Sequence, residues 1–80
     1  MRRGNMDSRE ALRYVLYRSN KPKTTVSQEL GKSAGYINTY VSMGKVPGLD
    51  TMASIADVCG FDLVLVNRES GESIRIDSKQ

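Results

Sequence analysis

The sequence predicts a mainly α domain of four short helices followed by a C-terminal β-hairpin. Three observations carry that expectation. Up to residue 60, apolar residues recur at spacings of three and four, the period of amphipathic helices. Glycines, prolines and small hydroxyl or acidic residues cut this pattern into helix-sized pieces. From Phe61 onward the period shortens to two, as in strands.

Taken in order, residues 1–6 (MRRGNM) read as a disordered basic arm carrying Arg2 and Arg3. Such an arm either reaches a phosphate or a minor groove, or is an inert end. Residues 7–60 form the helical domain. Asp7 or Ser8 caps a first helix, SREALRYVLYRS, whose buried stripe is Ala11, Leu12, Val15 and Leu16, with Tyr14 and Tyr17 at its borders. Residues 20–23 (NKPK) break it, because Pro disfavours the α conformation in the residue before it.

Thr24 or Thr25 caps a second helix, with Gln28 three residues after Thr25 as in a capping box. Val26 and Leu30 share its inner face, and Gly31 stands where a helix end favours positive φ. Ser33 offers a hydroxyl cap to a third helix spanning residues 33–43, with Ile37, Tyr40 and Val41 as its inner stripe. Its other face presents Ala34, Gly35, Asn38, Thr39 and Ser42, all small or polar. After a loop at residues 44–48, Asp50 caps a fourth helix with Met52, Ile55, Ala56 and Cys59 inward and Gly60 as its stop.

Residues 61–78 are expected to form the hairpin, with FDLVLV as first strand, a turn at residues 69–72 and SIRID as second strand. The first strand is apolar on both faces, and an isolated two-stranded ribbon is marginal in water. A partner strand across a two-fold axis would cover the second face, making Leu63, Val64, Val66, Ile74 and Ile76 a dimer interface. The alternative is that Val64 and Val66 fold back on the first or fourth helix.

The stretch TVSQELGKSAGYINTYVS, residues 25–42, is a short helix, a glycine turn and a second helix. Gly31-x-Ser33-x-x-x-Ile37, with small Ser27 four residues before the glycine, resembles the Cro/phage-repressor-type (XRE-like) helix-turn-helix family. The following KVPGLDTMASIADVCGFDL resembles that family's continuation, and the likeness covers residues 24–63. Lys32 stands where the family pattern is apolar, Ser27 where it has Ala more often, and Gly44 falls one residue late. The resemblance implies a lambda-repressor-like DNA-binding fold, a third helix that enters the major groove, and a terminal strand that dimerises.

By that resemblance, Ala34, Gly35, Asn38 and Thr39 approach base edges. Lys21, Lys23, Thr25, Gln28, Lys32, Ser33, Tyr36, Ser42 and Lys45 are the phosphate-contacting candidates. The charge distribution points the same way. Residues 1–48 hold nine Lys and Arg against three acids, a net of +6, whereas residues 49–80 carry −3. Phosphate contacts supply most non-specific DNA affinity, so the basic half is where a DNA face is expected.

Other classes fit poorly. There is no histidine, carboxylates are scattered, and no Gly-rich loop follows a strand, so no enzyme and no cofactor or metal is expected. No apolar run approaches the roughly 18 residues of a membrane span. The lone Cys59 cannot form an internal disulfide; it reads as a small buried hydrophobe in a protein of the reducing cytoplasm. The functional expectation is a sequence-specific transcriptional regulator, a repressor, acting on double-stranded DNA as a homodimer at a palindromic operator. Two alternatives stand beside it. One is the DNA-binding antitoxin of a toxin–antitoxin pair, with a toxin as partner. The other is a protein-interaction module that uses this scaffold without DNA.

Overall fold

The computed structural model describes residues 5–77. They form four helices and a two-stranded antiparallel hairpin: α1 (Ser8–Ser19), α2 (Lys23–Glu29), α3 (Tyr36–Met43), α4 (Leu49–Val58), β1 (Leu63–Val66) and β2 (Ser73–Ile76). The expected element order is therefore observed. Most of the expected basic arm lies outside the described residues, as does residue 78 of the expected hairpin segment.

The start of α1 follows its local sequence. Asp7 Oδ1 accepts the Glu10 N–H at 2.9 Å, and Glu10 Oε1 accepts the Asp7 N–H at 3.1 Å, a reciprocal cap. Leu12 and Val15 are buried, with Ala11 and Leu16 packed partly against the same core. Asn20 ends the helix in the left-handed conformation, which Asn tolerates better than most residues.

Three expected helix starts are corrected. α2 begins at Lys23, with the extended Pro22 as its N-cap and no side-chain cap. The Thr25–Gln28 capping box does not form, because Thr25 already lies inside the helix. α3 begins at Tyr36 rather than Ser33, so Ala34 and Gly35 belong to the preceding turn. α4 begins at Leu49 after Gly48, which puts Asp50 in the first turn, favourable for the helix dipole but not a cap.

The helix ends are better defined. After α2, the Gly31 N–H reaches the Gln28 carbonyl and the Lys32 N–H reaches the Ser27 carbonyl. After α4, Gly60 and Phe61 bond Asp57 and Ala56 in the same pattern. Both are paired C-terminal closures that require positive φ at the glycine, observed at +77° and +86°. The second closure consumes Phe61, so β1 starts at Leu63 instead. Phe61 packs against the core and meets the Tyr14 ring edge-on at 5.7 Å.

The core is one cluster: Leu12 and Val15 from α1, Val26 from α2, Ile37 from α3, and Met52, Ile55 and Cys59 from the α4 region. Val26, Ile37 and Ile55 are fully enclosed. The hairpin pairs Leu63 with Ile76, Val64 with Arg75, Leu65 with Ile74 and Val66 with Ser73. Directly paired residues share a face, so Leu63, Leu65, Ile74 and Ile76 lie on one side. Only Leu63 and Ile76 are half-buried; Leu65 and Ile74 are 60% and 56% exposed. Val64 and Val66 are exposed rather than folded back on a helix. The turn starts earlier than expected, at Asn67, whose side-chain oxygen accepts the Glu69 and Ser70 N–H groups. Among the described residues, no helix is long and apolar enough to cross a membrane.

Candidate nucleic-acid interface

The α2–turn–α3 segment is held together by one buried hydroxyl. Ser27 has no solvent exposure. Its Oγ donates to the Lys23 carbonyl at 2.8 Å and accepts the Ile37 N–H at 3.0 Å. The second bond satisfies one of the unpaired N–H groups of the first turn of α3, the role expected of Ser33. A residue of one helix thus caps the next, and Ile37 is driven into the core directly beneath. This junction fixes how α3 sits against α2.

With α3 so placed, Asn38 and Thr39 face outward and Ala34 and Gly35 are exposed in the turn before it. Lys23, Ala34, Gly35 and Asn38 line one shallow depression together with Pro22 and Thr24. Lys23 Nζ donates to Asn38 Oδ1 at 3.4 Å across it. Three of the four base-contacting candidates are therefore gathered beside a lysine. Thr24, which the sequence suggested only as a cap, also lines this site.

The hydroxyls of this face are partly committed. Thr39 Oγ1 donates to the Gly35 carbonyl at 3.0 Å, and Ser42 Oγ donates to the Asn38 carbonyl at 2.7 Å. Each hydroxyl has a single proton, so in these rotamers both offer only acceptor lone pairs and Thr39 its methyl group. The Ser42 proton thus bonds its own helix.

Lys21 is held by two partners. Its ammonium donates to Glu29 Oε1 at 2.7 Å and to the Val58 carbonyl at 3.0 Å. It ties the end of α2 to the last turn of α4, where carbonyls lack intrahelical partners. Lys32 stays on the exposed side, its ammonium 5.5 Å from the centre of the Tyr36 ring. This is a cation–π contact. Tyr36 in turn meets Tyr40 edge-on at 5.4 Å. Their hydroxyls stand 3.5 Å apart. That hydrogen bond, with some burial, raises the Tyr40 hydroxyl above the usual tyrosine range. Thr25 is half-buried, while Gln28, Ser33 and Lys45 are exposed; Lys23 and Lys45 retain the exposure that a phosphate contact needs.

Between β2 and α4 lies a separate cluster of charges. Arg75 lies 3.6 Å from Asp57, 3.4 Å from Asp62 and 3.3 Å from Asp77, linking β2 to α4 at an exposed surface. Cys59 is buried near Ser19 and Lys21, and burial raises its thiol above the ordinary range although those two neighbours pull the other way. It is a core residue, not a reactive one.

Comparison with known proteins adds no relative: no protein-family model, curated protein or solved structure matches this chain.

Proposed function

We propose that this protein is a sequence-specific DNA-binding transcriptional regulator, acting as a homodimer through a helix-turn-helix formed by α2 and α3. The observation that carries the reading is the Ser27 junction, which presents Asn38 and Thr39 beside the exposed Lys23 on the basic half of the chain. Two helices fixed by a buried bond, with a small, acid-free outer face, suit insertion of α3 into a major groove. Lys23, Lys32 and Lys45 supply cations toward the phosphates, and the net of +6 in residues 1–48 draws the duplex to this half.

The dimer reading is supported by the hairpin. Val64, Leu65, Val66 and Ile74 are exposed on a sheet of two strands, and β1 carries no charged residue to deter pairing. A second copy paired along β1 would set two α3 helices in a symmetric arrangement, matched to a palindromic site.

Binding to mixed-sequence duplex across a salt titration tests the reading. Affinity should fall steeply with salt, with a log–log slope of about −0.9 per phosphate neutralised. Selection from a randomised duplex library should then enrich an inverted repeat. Binding that ignores salt, or no binding at low salt, would remove the proposal.

A further inference from the structure

The phase of the hairpin ladder fixes which backbone groups β1 leaves unpaired. The Asn67 N–H donates to the Glu72 carbonyl at 2.8 Å, one step beyond the Val66–Ser73 pair. Hydrogen-bonded and non-hydrogen-bonded pairs alternate along an antiparallel ladder. Leu63 and Leu65 therefore turn their N–H and C=O groups toward β2, while Val64 and Val66 turn theirs to the opposite edge. No third strand covers that edge among the described residues, and both valines are exposed. β1 carries no charge. β2 carries Arg75, ringed by Asp57, Asp62 and Asp77, and charge on an edge strand deters pairing. Of the two edges, β1 is the one open to another strand.

We infer that a second copy adds antiparallel to β1 with the two-fold axis through Leu65, so that Val64 of each strand lies opposite Val66 of the other. The inference rests on the homodimer of the proposed function and narrows it to one edge and one register. The outward N–H and C=O groups of Val64 and Val66 then satisfy those of the second copy. On one face Leu65 meets Leu65 of the second copy, with the paired Ile74 of each chain outside it. These side chains, 60% and 56% exposed in the single chain, become one apolar row across the joined sheet. At both ends the same register brings Asp62 toward Arg68 of the second copy, a pairing of opposite charge. An axis through Val64 would instead set Val66 against Asp62, and one through Val66 would set Val64 against Arg68. Each leaves an apolar side chain opposite a charge.

Single cysteines read the register directly. Leu65→Cys puts two thiols on the axis, in a non-hydrogen-bonded pair with Cα atoms about 4.5 Å apart, within reach of a disulfide. Mild oxidation should convert most of this variant to a linked dimer on a non-reducing gel. Val64→Cys and Val66→Cys each place their own two thiols diagonally, about 7–8 Å apart and beyond bridging. Alone, each should stay unlinked; mixed in equal amounts, the two should link to one another. All three positions are exposed, and far-UV circular dichroism checks that each variant is folded. The native Cys59 is buried, so the unaltered chain serves as the unlinked control.

Linking of Val64→Cys or Val66→Cys alone would overturn the register. So would an unlinked Leu65→Cys when the unaltered chain sediments as a dimer, because the copies then meet elsewhere. A chain that sediments as a monomer at every concentration overturns the homodimer on which the register rests. The two failures are therefore distinct.

Discussion

The α2–α3 pair and the C-terminal hairpin differ in how their groups are satisfied. Between α2 and α3 the apolar face is enclosed, with Val26 and Ile37 fully buried, and the junction carries a buried hydroxyl with both its bonds made. The polar residues left outside are small and near a cation. In the hairpin the apolar residues are the exposed ones, and only Leu63 and Ile76 at its base are half-buried. Its tie to the helices through Arg75 is a set of exposed ion pairs, a class worth about 0–1 kcal/mol each. The difference separates two kinds of surface, and under the proposed function each meets its own partner. The helix pair is finished as a fold and presents polar chemistry, while the hairpin is unfinished as a fold and presents apolar surface.

The largest effect should come from emptying the enclosed junction. Ile37→Ala should cost about 2–5 kcal/mol in chemical denaturation. In a domain of eighty residues that is a large share of the total stability. Next comes Ser27→Ala, which leaves the buried Ile37 N–H without a partner. A loss of about 1–3 kcal/mol is expected, and weaker DNA binding with it as α3 loses its fixed seat. An unchanged midpoint for Ser27→Ala would break the account of the junction.

A third effect is pH-linked. Burial raises the Cys59 thiol in the folded state, so the native chain holds this proton to higher pH than the unfolded chain. That contribution is fully present below the unfolded thiol's pKa and is lost as pH rises through the folded one. Stability should therefore decline on the alkaline side of the ordinary thiol range, and Cys59→Ala should flatten that decline. A decline that persists unaltered in Cys59→Ala but disappears in Tyr40→Phe would assign it to the tyrosine pair.

The smallest effect on stability is expected in the hairpin. Leu65→Lys should change the unfolding free energy of the monomer by no more than about 0.5 kcal/mol, since the side chain is largely exposed. Under the proposed function the same variant should abolish self-association in sedimentation, because it places like charges on the strand proposed to pair. Contrast with Ser27→Ala sharpens the comparison: one substitution costs stability, the other costs assembly.

The sequence made the element order and the core legible, because both rest on local periodicity. Leu12, Val15, Val26, Ile37, Met52, Ile55 and Cys59 were all read as inward from spacing alone, and all are buried. The α1 cap is legible only as Asp7 or Ser8; the structure shows Asp7, with Glu10 completing the reciprocal pair. The starts of α2, α3 and α4 are not legible from spacing, because hydroxyl or acidic side chains of the expected residues do not cap them. Pro22, Gly35 and Gly48 do this without a side-chain bond, and the acceptor for the Ile37 N–H of α3 comes from a residue ten positions earlier. The bond from Lys21 to the Val58 carbonyl is not legible either, because the two residues lie thirty-seven positions apart. In the site, Asn38, Ala34 and Gly35 were legible as an outward face, but the Lys23 contact spans fifteen positions and has no signature in spacing.

The central claim is that the α2–α3 face meets DNA while the hairpin meets a second copy. Amide chemical-shift mapping of the labelled chain during titration with mixed-sequence duplex at low salt tests it most directly. The account predicts perturbations concentrated at Lys23, Thr24, Ala34, Gly35, Asn38 and Thr39, fading as salt is added, with Val64 and Leu65 unmoved. Perturbations centred on the hairpin, or none at any residue, would contradict it.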